Sequence, residues 1–294
     1  MTAHAYLTTR EAADYLRLKE RKLYDLVRQE LIPCTRVTGK LLFPRQALDL
    51  WLMNHLEGDQ RSRAPLAAIL AGSQDPLLEW AVRESGSQLA TLCHGSGDGV
   101  RRLLADRALV AGVHLLDADT GRYNDPQALG LGGMRDLVAI RWARRRQGLM
   151  LAPGNPLGIE GLTDLARPEV VLAHRQPDAG AERLLSLLLT RAGMRLETLN
   201  LSPDVALSED DLALAVRRGD ADAGLGVEAA ARRHGLDFIG LHDECFDLLL
   251  RRRSYFEAPL QRLMRFAREP RCQEWAVRAG GYDLSEHGTV VYNA

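Results

Sequence analysis

The sequence predicts a mixed α/β protein, with a small N-terminal helix-turn-helix unit ahead of a larger unit in which strands and helices alternate. Three observations predict this. Residues 6–56 carry two short amphipathic helical patterns, a glycine turn between apolar segments, and a third helical pattern. The stretch EGDQRSRAP, Glu57 to Pro65, then interrupts all apolar periodicity and reads as a linker. From Leu66 onward, apolar runs of strand length recur, each followed by a turn and a helical pattern. The expected boundaries are 1–57, a linker over 58–65, and 66–294.

In the first unit, Thr8 or Thr9 can cap a helix whose first turn holds Glu11, where a carboxylate suits the helix dipole. Ala12, Ala13 and Leu16 give it a small apolar face, and it should end near Arg17. A second helix is expected from Lys19 or Glu20 to Gln29. Leu23, Leu26 and Val27 point inward at spacings of three and four, and Arg21, Lys22, Tyr24, Asp25 and Arg28 lie on the other face. After Ile32 and Pro33, Val37 leads into a Thr38-Gly39 turn and then Leu41, Leu42 and Phe43, a small hairpin or wing flanked by Arg36 and Lys40. Pro44 opens a third helix, in the first-turn position where proline is tolerated.

Charge follows the same division. Residues 1–63 hold 11 Lys/Arg and 8 Asp/Glu, within a chain whose formal charge is −1. A basic first unit on an acidic body suggests that the first unit alone meets a polyanion. The longest apolar runs are far below the roughly 20 residues of a spanning helix, and the N-terminus has no basic segment followed by an apolar core. No membrane association and a cytoplasmic location are therefore expected. Cys34, Cys93, Cys245 and Cys272 are widely spaced and form no CxxC pair, so they read as ordinary thiols with no metal site.

The large unit begins with strand candidates LAAIL, QLATLCH and ALVAGVHLL. The first two are followed by glycine-serine turns, Gly72-Ser73 and Gly95-Ser96-Gly97, that open into helices. Backbone N–H groups at such helix starts can receive an anion. LVAIRW and GLMLAP read as adjacent strands, NPLGIEGLTDLA as a turn and short helix, and VVLAHRQPDAGAERLL as strand, turn and helix. The segment DLALAV to FDLLL then reads as helix, strand, helix and strand, and the helices of Ala258 to Gly280 follow.

The residues LTTREAADYL, KERKLYDLVRQELIP, TRVTGKLLFP and ALDLWL resemble the excisionase and MerR-type winged helix-turn-helix family, over residues 6–56. The resemblance implies that the second helix enters the major groove. Lys19, Arg21, Lys22, Tyr24 and Arg28 are then groove candidates, and Arg36 and Lys40 phosphate contacts.

The strings GSGDGVRRLL, ALVAGVHL, LMLAPGNPLGI, HRQPDAGAERLL and AVRRGDADAGLGVEAAA resemble the type II periplasmic-binding-protein-like domains of molybdate-binding proteins and LysR-type effector domains. The implied fold is α/β, a small N-terminal winged helix-turn-helix plus a bilobed periplasmic-binding-protein-like α/β domain. Such domains close two lobes on a ligand by a hinge. The first crossing is expected near Pro153 to Pro156, the return near Glu244 to Leu248, and the second lobe over about 155–245. Candidate ligand residues are Ser73, Gln74, Ser96, Gly97 and His114 in the first lobe. In the second they are Asn155, Arg175, Gln176, Ala181, Arg183 and Glu228. Ala181 stands where related sequences carry Ser or Thr, which removes a hydroxyl from the anion cradle.

These features predict a ligand-responsive DNA-binding transcription regulator, a homodimer on a two-fold site, with a small anion as effector and no cofactor. The resemblance favours molybdate or tungstate. No GxSxG, HExxH, phosphate-loop or GxGxxG pattern suggests an enzyme. An enzyme on the same fold and an excisionase-like recombination factor are the alternatives.

Overall fold

The computed structural model describes residues 5–29, 31–37, 39–54 and 66–294. Thr38 of the wing turn and the linker 58–65 lie outside the described residues. The chain folds as two compact units, Met1–Pro65 and Leu66–Ala294.

The first unit contains β1 (Tyr6–Thr8), α1 (Thr9–Leu16), α2 (Glu20–Arg28), β2 (Thr35–Val37), β3 (Lys40–Pro44) and α3 (Arg45–Asn54). Thr8 is the cap of α1. Its hydroxyl accepts from the Glu11 N–H at 3.4 Å while the Glu11 carboxylate accepts from the Thr8 N–H at 2.8 Å, a reciprocal capping box. Arg17, at φ 54°, turns the chain out of α1. Tyr6–Thr8 adds a strand that the sequence did not suggest, so the wing is the outer part of a sheet ordered β1-β3-β2. Leu7, Ala12, Ala13, Leu23, Ile32, Phe43 and Leu48 form the core. Leu23 and Phe43 are fully buried, and each contributes roughly 1.5–3 kcal/mol.

In the second unit, β4 (Ile69–Gly72), β5 (Ala90–Leu92) and β6 (Val110–Val113) are parallel, joined through α4 (Pro76–Glu84) and α5 (Ser96–Leu104). A long strand β7 (Leu137–Leu151) leads to a second parallel set, β8 (Leu172–Arg175), β9 (Leu201–Ala206) and β10 (Ala223–Val227). With these run α6 (Gly180–Arg191), α7 (Glu209–Arg218) and α8 (Glu228–Arg233). A second long strand, β11 (Asp237–Arg251), returns antiparallel to β7 along its whole length. Helices α9 (Ala258–Phe266) and α10 (Pro270–Ala279) and short strands β12 (Tyr282–Asp283) and β13 (Val290–Asn293) complete the chain.

The strand order is β5-β4-β6-β11-β7-β10-β8-β9. The first parallel set joins the β7–β11 ribbon at Asp247 to Leu250, and the second joins it at Gln147 to Leu151. The ribbon therefore runs through both lobes, and pairing passes from one lobe to the other near Arg145–Gln147 and Glu244–Phe246. This corrects the first crossing, which is earlier than the Pro153 to Pro156 turn. LVAIRW and GLMLAP are also not two strands but one. The intervening Ala143-Arg144-Arg145-Arg146-Gln147 looked like a polar break, but it is strand alternation: Arg144 and Arg146 face out and Arg145 is buried.

Trp142, Phe246, Leu248, Leu250, Leu260 and Leu263 pack in the first lobe, so α9 belongs there. Cys272 and Ala276 of α10 join the same cluster. The second lobe has two clusters, one around Leu172, Leu185 and Leu225 and one around Leu212, Val216 and Ala230.

Candidate ligand cleft and nucleic-acid interface

The turn after β4 is built for close approach. Gly72 has φ +102°, and a Cβ there would lie 2.2 Å from the Gly112 carbonyl oxygen, so no side chain fits. The turn presents Ser73, Gln74 and Asp75. The Ser73 hydroxyl lies 2.7 Å from that of Ser96, which accepts from the His114 backbone N–H at 3.1 Å. Both serines are buried. Gln74 Oε1 is buried with no partner among the described residues.

From the second lobe come the end of β8 and the start of α6. Gly180 and Gly95 touch the opposing lobe. A Cβ on Gly180 would lie 2.6 Å from the His114 ring, and one on Gly95 would lie 2.7 Å from the Asp178 carbonyl oxygen. Arg101 of the first lobe pairs with Asp178 of the second at 2.8 Å. The cavity left between the lobes is about 10 Å³, room for one water. Ser73, Gln74, Cys93, Gly95 and His114 wall it on one side, and Arg175, Ala179, Ala181 and Glu209 on the other. The lobes are thus closed. The N-termini of α5 and α6 meet here from opposite lobes. The N–H groups of Ser96, Gly97 and Asp98, and of Gly180, Ala181 and Glu182, have no acceptor among the described residues. Burial of the Cys93 thiol pushes its pKa to about 12, so it is a neutral lining group.

Behind this cleft lies an ion-pair chain that the sequence alone did not reveal. Arg145, 1% exposed, donates to Asp75 at 3.1 Å, to the Gln74 carbonyl at 3.3 Å, and to Glu244. Its guanidinium sits 4.4 Å above the Phe246 ring centroid. Asp75 also accepts from Trp142 Nε1, the Tyr282 hydroxyl and the Leu78 N–H. Glu244 further accepts from Gln147 at 3.0 Å and lies 2.7 Å from His114 Nδ1. Buried charges persist only when paired in this way. The chain links β4, β7, β11 and the cleft residue His114 at the point where the ribbon passes between lobes.

Glu244 gives the first expected result. Burial alone would raise its pKa, but Arg145 and His114 hold it at about 2, below its ordinary 4.5. A depressed carboxylate stabilises the fold fully above its unfolded pKa, and that contribution fades as pH falls through the folded value. Wild-type stability should therefore fall between about pH 4.5 and pH 2, and Glu244→Gln should flatten that part of the profile. Melting scans across the window check this. Equal acid slopes would remove Glu244 as the titrating group.

Residues 78–268 match the model of the PBP superfamily domain, more than half of the chain. The chain belongs to the PBP superfamily. Residues 6–55 match a helix-turn-helix domain model. An uncharacterized protein of Bacillus subtilis (strain 168), YvgK, is 26% identical over 271 residues, which is 84% of this chain and 85% of that one.

Among solved structures, a phosphate-bound putative phosphate transporter substrate-binding protein from Clostridium perfringens matches 76% of this chain and 99% of its own, with TM-score 0.51 and 13% identity. The sulfate-binding protein SubI of Mycobacterium tuberculosis H37Rv matches at TM-score 0.50 and 16% identity, over 73% of this chain and 85% of that one. A hydrogen-peroxide-bound OxyR mutant of Corynebacterium glutamicum matches at 0.50 and 14%, over 92% and 89%. These likenesses concern the fold.

Within this PBP-superfamily unit, Ser73, Gln74, His114, Arg175 and Ala181 line the interlobe cleft, and Ser96 and Gly97 begin the helix that points into it. Arg175, a candidate ligand residue, already has partners of its own. It donates to Glu209 at 3.0 Å and to the Ala206 and Leu207 carbonyls at 3.1 Å, so its charge is already compensated. Four other candidates lie away from the cleft cavity. Gln176 accepts from Arg175 Nε at 3.4 Å, and Arg183, half-exposed, faces Asp178 at 3.8 Å. Asn155 ties its own loop through Ile159. Glu228 pairs with Arg232, and it and Asn155 line a separate cavity of about 1070 Å³. The turn that carries Asn155 and the start of α8 that carries Glu228 both face that other cavity.

In the helix-turn-helix unit, Arg21, Lys22, Tyr24 and Arg28 are exposed on one side of α2, and Leu23 is fully buried on the other. Lys19 is exposed at the N-cap of α2, and Arg36 and Lys40 are exposed on the paired wing strands β2 and β3. Among the described residues no helix is long and apolar enough to cross a membrane, and no group of three or more His, Cys, Asp or Glu could hold a metal ion.

Proposed function

We propose that this protein is a ligand-responsive DNA-binding regulator whose effector is a small oxyanion held between the lobes of its PBP-superfamily unit. The observation that carries the reading is that two helix N-termini, those of α5 and α6, meet from opposite lobes in one chain with a helix-turn-helix unit. Unpaired N–H groups and positive dipole ends favour an anion there. Ser73, Ser96, the Gln74 amide and the backbone N–H of Ala181 supply neutral donors beside the His114 ring, so loss of a hydroxyl at Ala181 leaves the backbone contact in place. A closed cleft admits an anion only by opening and reclosing, and the anion then favours the closed state by its differential affinity.

On the DNA side, Arg21, Lys22, Tyr24 and Arg28, with Lys19 at the start of α2, meet base edges, and Arg36 and Lys40 meet phosphates. A homodimer places two such units on a two-fold site, and the protein works in the cytoplasm. Molybdate and tungstate are the first effectors to test, with sulfate and phosphate beside them. A thermal-shift titration of the full chain should raise the melting temperature with at least one of the four, since binding only the folded state stabilises it. The same anion should change the mobility shift of duplex DNA from the protein's own upstream region. An unchanged melting temperature with all four would remove the oxyanion, and absence of any DNA shift would remove the regulator.

A further inference from the structure

A second concave site lies between α8 of the second lobe and α10 of the first. Its cavity, about 390 Å³, is lined by Ala229, Arg232, Arg233, Trp275, Arg278 and Ala279. It shares no residue with the interlobe cleft. α8 is anchored in a second-lobe core through Ala230 and Ala231, and α10 in the first-lobe core through Cys272 and Ala276. The walls therefore belong to different lobes.

Its chemistry is one-sided. Three guanidiniums line it and no carboxylate does. Arg232 pairs with Glu228 at 2.6 Å and Arg233 with Asp210 at 3.0 Å, both acids standing outside the cavity lining. Arg278 is exposed and has no acidic partner among the described residues. Of the three positive charges, one is thus uncompensated. The half-buried Trp275 stacks on Trp80, with centroids 5.5 Å apart and planes at 19°. That contact fixes its plane, while part of the ring lines the cavity.

We infer that this is a second ligand site, taking a planar ring that bears a phosphate or carboxylate group. The ring packs on Trp275 and the anionic group meets the guanidinium forks, whose planar donors match both oxyanions. The volume is in the range of small-molecule pockets. Because the walls come from two lobes, occupancy depends on the lobe angle, which makes the site a control point on cleft closure.

The test is isothermal titration calorimetry of the full chain with adenosine monophosphate and salicylate, which separate the phosphate from the carboxylate. Adenosine and inorganic phosphate carry the ring and the anion alone. At least one ring anion should bind saturably and more tightly than either partial probe. Arg278→Gln should weaken it by roughly 10-fold, the loss of one charge-assisted contact, and Trp275→Leu should weaken it independently. Arg278 is exposed, so an unchanged melting temperature in Arg278→Gln certifies the fold. The oxyanion response of the cleft should persist in that variant, which keeps the two sites distinguishable. No saturable binding of either ring anion, or binding that survives both substitutions, would overturn the inference.

Discussion

Arg145→Met should destabilise the large unit by roughly 3–5 kcal/mol at neutral pH, the cost of stranding buried charges. The methionine fills similar volume, so the loss reports on charge. Asp75 and Glu244, both at or below 1% exposure, would each lose their guanidinium. Asp75 would retain Trp142, Tyr282 and the Leu78 N–H, and Glu244 would retain Gln147 and His114. The melting temperature should fall by on the order of 10 °C for a unit of this size. Urea unfolding with an unchanged slope checks that the effect is stability. In a double-mutant cycle, Arg145→Met with Glu244→Gln should cost clearly less than the sum of the single changes. Additive losses would show that the two side chains do not act as a pair.

Gly180→Val should weaken the oxyanion response by roughly 5- to 150-fold, the range of a 1–3 kcal/mol overpacking penalty laid on the closed state. Gly180 is the first residue of α6, and even a Cβ there would lie 2.6 Å from the His114 ring, which Glu244 holds in place. The valine meets the opposing lobe only on closure. The anion-free melting temperature should fall by no more than the few degrees that this penalty allows, since lobe opening relieves the clash, while the anion-induced shift shrinks. An anion response in Gly180→Val equal to wild type would show that closure at this contact is not what the anion drives.

The candidate site was legible where local geometry carries it. Gly72-Ser73 and Gly95-Ser96-Gly97 read as loops opening into helices because glycine and serine at a strand end have few other uses, and those loops do face the second lobe. Asp75 was open to inspection as a residue before proline at a helix start, and it is the N-cap of α4. Arg145 was not legible, since Arg144, Arg145 and Arg146 are alike in type and only the folded strand turns the middle one inward. It was missed because consecutive charges usually mark a surface. Arg175 was found, but its pairing with Glu209, 34 positions away, has no local signature.

By itself the sequence determined the two-unit organisation, the helix-turn-helix with its exposed basic face, and the alternating α/β character of the body. Those properties rest on periodicity, caps and turns within a few residues, which local sterics and hydrophobic burial settle. The tertiary structure alone decided which loops share a cleft, that β7 and β11 are single strands running through both lobes, and that Arg145 is buried among Asp75, Glu244 and Phe246. The two carboxylates that hold it stand 70 and 99 positions away in the chain. The desolvation cost of a buried charge is met only when the whole fold brings its partners to it.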